Sequence, residues 1–125
     1  MKILLLSALV GVLAQSIVNA APTPATGMAS WYGEDHRGRL MANGRPFNPD
    51  KLTAASWFYP LGSKVQVTLH SAHRAPRHVV VTITDRGPAK DLVDDGRIID
   101  LTEAAFKRLA QPGRGLVAVR VHRLR

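Results

Sequence analysis

Two aspartates stand where a carboxylate could do chemistry. Asp85 directly follows the run His78-Val79-Val80-Val81-Thr82-Ile83-Thr84 and precedes Arg86-Gly87-Pro88. A carboxylate at the end of an extended run, beside a glycine that lets a ligand approach the backbone, can give and take protons or orient a ligand. The same residue can instead cap the turn through backbone N–H groups, or pair with Arg86 or Arg97. Asp100 divides in the same way, with helix capping favoured more strongly. Aromatic side chains fall in two clusters, Trp31-Tyr32 and Trp57-Phe58-Tyr59, which hold five of the seven in the chain. Such rings stack on the apolar faces of sugars when they line a groove, and otherwise pack in a core.

Other chemistries find little support. The histidines are His36, His70, His73, His78 and His122. His70-x-x-His73 with His78 does not read as a metal site, because His70 and His73 flank a turn and have no acidic ligand beside them. There is no nucleophile elbow, P-loop or dinucleotide fingerprint, so no cofactor is expected. The chain has no Cys. That excludes a thiol nucleophile, a thiolate zinc site, a disulfide framework and a lipidated cysteine anchor.

The elements that must position these residues read mainly as β. Residues 27–32 read as a strand, and 33–48 as a long Gly-rich loop or a loop with a short hairpin, with a turn at Asn43-Gly44. Leu61 to Leu69 alternates Val65, Val67 and Leu69 with Lys64, Gln66 and Thr68, the period of a strand. The β-branched stretch from His78 to Thr84 is the strongest strand. Lys90 to Gly96 reads as a charged loop, followed by a short extended piece at 97–99. A helix is expected from about Glu103 to Ala110, capped by Asp100 or Thr102 and stopped by Pro112-Gly113. The segment 116–124 is the last strand. Four or five short strands with one helix suggest a small closed barrel.

The chain has 125 residues, 46% hydrophobic and 21% charged, with 17 Lys and Arg against 9 Asp and Glu. This is one domain of ordinary globular composition. Residues 1–20 have the layout of a secretory signal peptide: Lys2, an apolar run from Ile3 to Ala14, then Val18-Asn19-Ala20. The run is shorter than the roughly 20 residues that span a bilayer, so no stable membrane anchor is expected after cleavage. Residues 21–26 read as a Pro-rich linker, and 27–125 as the folded domain. Losing residues 1–20 removes only Lys2 from the basic count and leaves +7. An exported basic protein, periplasmic or extracellular, meets anionic envelope polymers or headgroups rather than nucleic acid. No aromatic-interleaved basic stripe of the kind that stacks bases is present.

Six blocks, taken in order, resemble the rare lipoprotein A (RlpA)-like family. They are Gly27-Met28-Ala29-Ser30-Trp31-Tyr32-Gly33, Ala42-Asn43-Gly44, Leu52-Thr53-Ala54-Ala55, Leu61-Gly62-Ser63-Lys64-Val65, Thr84-Asp85-Arg86-Gly87-Pro88 and Arg97-Ile98-Ile99-Asp100-Leu101-Thr102. The resemblance implies a mainly β fold: a single six-stranded double-psi β-barrel with one or two short helices, a fold shared with expansins. It also implies a lytic transglycosylase that cuts peptidoglycan glycan strands between N-acetylmuramic acid and N-acetylglucosamine, leaving 1,6-anhydro ends. The matching block makes Asp85 the catalytic acid/base. Trp31, Tyr32, Asn43, Arg45, Arg86 and Asp100 are the expected substrate-binding residues.

Two positions depart from the family pattern. Thr-Ala-Asn-Gly-Glu is common there, and this chain has Met41-Ala42-Asn43-Gly44-Arg45. Thr-Ala-Ala-His is common there, and this chain has Thr53-Ala54-Ala55-Ser56. An arginine near Asp85 would favour its charged form and weaken it as an acid. Glu34 or Asp35 could supply a replacement carboxylate. The lipid-anchor Cys and C-terminal glycan-binding repeat of longer relatives have no counterpart here, so a bare barrel is expected. The alternatives are a non-catalytic, expansin-like wall-binding module, and a basic secreted effector or inhibitor that uses the barrel as a scaffold.

Overall fold

A computed structural model describes residues 25–71 and 75–125. The expected signal segment, most of the expected linker, and His73 lie outside them. Six strands close a barrel: β1 (Ala25–Tyr32), β2 (Thr53–Ala55), β3 (Lys64–Leu69), β4 (His78–Asp85), β5 (Arg97–Thr102) and β6 (Val117–Arg123). Their order around the wall is β1-β5-β2-β4-β3-β6. The β1–β5 and β2–β4 pairs are parallel and the other four antiparallel. Parallel neighbours require the chain to cross over the barrel, and these crossovers carry the loops that form the site.

Alternation along each strand fills the interior. Val65 and Val67 of β3, Val79, Val81 and Ile83 of β4, Ile99 and Leu101 of β5, and Val117, Val119 and Val121 of β6 are all buried. Strand side chains alternate between faces. The intervening residues, Asp100 between Ile99 and Leu101 among them, therefore turn to the outside of the wall.

Two short helices flank the barrel. α1 (Lys90–Asp94) occupies the stretch read from sequence as a charged loop, and it has no buried residue. α2 (Glu103–Lys107) closes one end of the barrel with Ala105 and Phe106 buried. Its cap is Thr102, whose Oγ1 accepts from Ala105 N–H at 3.2 Å and donates to Lys51 O at 2.6 Å. Asp100 does not cap it. β1 starts two residues earlier than expected, at Ala25, because Ala25 and Thr26 pair with Val121 and Arg120 of β6. Strand β2, three residues long, was not expected. No helix among the described residues is long and apolar enough to cross a membrane.

Candidate active site

The register brings the two aspartates together. Ala55 of β2 pairs with Asp85 of β4 on one side and with Asp100 of β5 on the other. β1 continues the row, with Ser30 opposite Asp100. Directly opposed residues share a face. Ser30, Asp100, Ala55 and Asp85 thus form one row across four strands on the outer face of the wall. Two strand spacings put the Asp85 and Asp100 backbones about 10 Å apart, with only a methyl group between them.

The two carboxylates have different surroundings. Asp85 Oδ1 accepts the N–H groups of Ala42 at 2.9 Å and Arg86 at 2.8 Å. This is the turn-capping arrangement that the sequence left open, and it ties loop 33–48 to the end of β4. Asp85 forms no ion pair with Arg86, Arg97 or Arg45 among the described residues. Asp100 accepts the Ser30 hydroxyl at 2.8 Å. Burial raises the Asp100 carboxyl above the ordinary carboxylate range. The Ser30 hydrogen bond and the charges of Arg97 and His36 pull against that rise, and the nearby Asp85 charge adds to it.

Tyr32 completes the cluster. Its hydroxyl is buried without a well-formed hydrogen bond among the described residues. Burial first, and then the neighbouring Asp85 and Asp100 carboxylates, push its ionisation far up, so it stays a neutral O–H. The ring lies 4.2 Å from Phe47 and 5.5 Å, edge-on, from His36. The Nδ1 atom of His36 is likewise buried without a partner.

The roof over this row is the loop expected to hold a short hairpin. Leu40 bridges to Pro46, and Asn43 N–H donates to Thr84 O at 3.2 Å. Gly44 turns the tip with φ +83°, a conformation that suits glycine. The Asn43 side chain accepts from Arg45 N–H at 3.0 Å. Arg45 lines a hollow of about 130 Å³ with Met41, Asn43 and Lys51. Glu34 is held by Arg37, whose Nε lies 2.8 Å from its carboxylate. Asp35 lines a separate cavity of about 420 Å³ with Trp31, Tyr32, His36 and Glu103.

Two of the expected binding residues, Trp31 and Arg86, donate hydrogen bonds to the backbone. Trp31 donates its indole N–H to Pro112 O at 2.9 Å and packs 6.3 Å from Phe106. The Arg86 guanidinium donates to Ser56 O at 2.7 Å and Tyr59 O at 2.6 Å. Ser56, fully buried, donates from Oγ to Ile98 O at 3.3 Å and accepts from Phe58 N–H at 3.1 Å. The structure thus gathers Asp85, Asp100 and Tyr32 at one place. It leaves Arg45 on the roof and sets Arg86 and Trp31 into the scaffold. Sequence reasoning missed His36 as a neighbour of Asp100. The only signal was a histidine four residues after Tyr32, in a loop with no periodicity. No cluster of three His, Asp or Glu able to hold a metal ion occurs among the described residues.

Comparison with known proteins agrees with the fold. Residues 24–121 match the family model described as lytic transglycolase. A probable endolytic peptidoglycan transglycosylase RlpA of Nostoc is 40% identical over 111 residues, covering 87% of this chain and 28% of that protein. The Yersinia pestis endolytic peptidoglycan transglycosylase RlpA is 46% identical over 83 residues, 66% of this chain and 21% of that protein. This chain therefore spans about a quarter of the length of these curated relatives. Among solved structures, the Streptomyces papain inhibitor superposes with a TM-score of 0.62 at 26% identity, over 84% of this chain and 97% of that one. An expansin of Clavibacter michiganensis, solved with cellohexaose, superposes at 0.59 and 17% identity, over 82% of this chain and 51% of that one, and shares the fold alone. With this register, this barrel order and a match along most of its length, the chain belongs to the RlpA-like double-psi β-barrel family of lytic transglycosylases.

Proposed function

We propose that this protein is a lytic transglycosylase acting on peptidoglycan glycan strands, with Asp85 and Asp100 as its acid–base pair. The observation that carries the reading is the register of Ala55, which has Asp85 on one side and Asp100 on the other. The reaction needs a proton for the leaving glycosidic oxygen and an acceptor for the proton of the muramic C6 hydroxyl. Asp100, raised by burial, is suited to hold and donate the first proton. Asp85, already an acceptor of two backbone N–H groups, is suited to take the second. The C1–O4 bond breaks, and the C6 oxygen attacks C1 to close the 1,6-anhydro ring. No water is consumed. A single carboxylate could serve both steps in turn, and the second one divides the work. Tyr32, neutral and lacking a firm partner, can donate a hydrogen bond to the sugar between them.

The rest of the reading follows from the substrate. Peptidoglycan lies outside the cytoplasm, which agrees with residues 1–20 serving as a cleaved signal peptide and 27–125 as the working domain. Asn43 and Arg45 belong to the roof loop, and on this reading they meet the strand from above.

The test is digestion of peptide-free glycan strands and intact sacculi, with soluble products read by mass spectrometry. Anhydro-muramic ends from the wild type support the reading, whereas water-added reducing ends or no soluble product would reject it. A second reading is a non-catalytic wall-binding barrel. It is favoured by Ser56, whose hydroxyl is fully engaged with backbone at a position where the family commonly has histidine. The Streptomyces protein similar along 97% of its length is likewise named for inhibiting papain, not for cutting glycan. Co-sedimentation with sacculi without soluble product would select this reading.

A further inference from the structure

The two aromatic clusters have separated. Trp31 is tied into the barrel, whereas Trp57 and Phe58 are 43% and 55% exposed. Exposed apolar side chains grouped in a patch mark an interaction surface, whereas single ones are ordinary. These two are also held still. The Trp57 indole N–H donates to Pro88 O at 2.7 Å, which fixes the ring against the turn that begins at Asp85. Arg86, the residue after Asp85, clamps the carbonyls of Ser56 and Tyr59 on either side of the pair. Ser56 Oγ holds Phe58 N–H from beneath. Three hydrogen bonds thus lock an exposed aromatic surface to the turn that follows Asp85, and a fourth stiffens the loop from within. Plain core packing does not account for rings left this open, and a loop needed only as a connection has no use for so many ties.

We propose that Trp57, with Phe58 beside it, is a stacking platform for one sugar ring of the glycan strand, and that Arg86 and Ser56 are its positioning residues. The proposal rests on the glycan reading given above. The apolar C–H face of a pyranose matches an indole in size and chemistry. Continuity with the Asp85 turn makes the occupant the same strand that reaches the carboxylates. Lys90 lies over the Trp57 ring at 4.8 Å. An exposed cation–π contact is weak and yields to a sugar that covers the ring. On this account Ser56 supports the platform in place of the imidazole common in the family.

The chain has two tryptophans, Trp31 and Trp57, so intrinsic fluorescence reports the platform against a core-bound background. The protein is titrated with uncharged N-acetylglucosamine oligomers and with peptide-free glycan strands, with affinity read by calorimetry. Saturable binding with a fluorescence change is expected, and for the uncharged N-acetylglucosamine oligomers it should be nearly unaffected by high salt because no ion pair is involved. Trp57→Ala should weaken binding about fivefold, and Trp57→Phe, which keeps a ring, should restore most of it. Trp57-dependent binding by the wild type without any product would sink the cleavage reading and leave the platform standing. Equal affinity of Trp57→Ala and wild type would overturn the platform, as would binding of the uncharged oligomers that disappears with salt and ignores Trp57. A concentration-dependent dimer that dissolves on Trp57→Ala would give the surface to a second copy of the chain and also overturn it.

Discussion

The two faces of one barrel wall follow opposite rules. On strands β4 and β5, Ile83, Ile99 and Leu101 point inward and are fully buried among other aliphatic side chains. Asp100, one residue away, stands on the outer face by simple alternation. Asp85, two residues from Ile83, joins it because the β2–β4 register shifts between Ala54 and Ala55. Tyr32 stands with them, its buried hydroxyl without a well-formed hydrogen bond among the described residues. A buried polar group left unpaired costs stability, whereas a packed aliphatic group supplies it. The inner face therefore holds the fold together. The outer face gives up part of that stability to bury one carboxyl, whose ionisation rises above the ordinary range, and one hydroxyl.

Substitutions on the two faces should separate accordingly. Ile83→Ala leaves a cavity inside the barrel and is expected to lower stability by about 3 kcal/mol, read as a drop in urea midpoint. A loss below about 1 kcal/mol would mean that the inner face is not the principal support. Tyr32→Phe removes a buried hydroxyl without a well-formed hydrogen bond among the described residues and should raise stability by about 1 kcal/mol while lowering glycan cleavage. If it destabilised the protein, the hydroxyl would have a strong partner and the contrast between the faces would weaken. The smallest effect concerns pH. Folding raises the Asp100 carboxyl, so the folded state binds more protons than the unfolded chain above the ordinary Asp range. Stability of the wild type should fall as pH rises from the ordinary Asp value through the raised one. Asp100→Asn has no such slope, so its advantage over the wild type should be smallest in acid and grow to neutrality. Parallel urea midpoints across that range would remove the burial argument for Asp100.

The inner face was the legible one. Alternating valines in β3, β4 and β6 announce strands because period 2 in a half-buried wall leaves no other arrangement. The six blocks in order carried the barrel and singled out Asp85. Strand β2 was invisible, since Thr53-Ala54-Ala55 has neither length nor β-branched bulk and forms only because β4 and β5 flank it. Helix α1 was read as loop because its five residues bury nothing and show no apolar stripe. The cap of α2 is Thr102 because Asp100 still belongs to β5, two residues before the cap, where it meets Ser30, 70 residues distant. The outer row depends on such distant meetings. The Arg86 clamp joins residues 30 and 27 apart, and the pairing of Asp85 and Asp100 through Ala55 needs three strands in register. No local pattern encodes either.

The central claim is that the two carboxylates beside Ala55 act as one unit, and the most direct test is a rate cycle on peptide-free glycan strands. Asp85→Asn keeps an oxygen that can accept the Ala42 and Arg86 N–H groups, so its fold should persist. Its rate of anhydro-end formation, and that of Asp100→Asn, should each fall at least about a hundredfold. The double variant should be little worse than either single one, because residues that share one proton path do not add. A wild-type rate from Asp85→Asn, or losses that multiply in the double variant, would contradict the account.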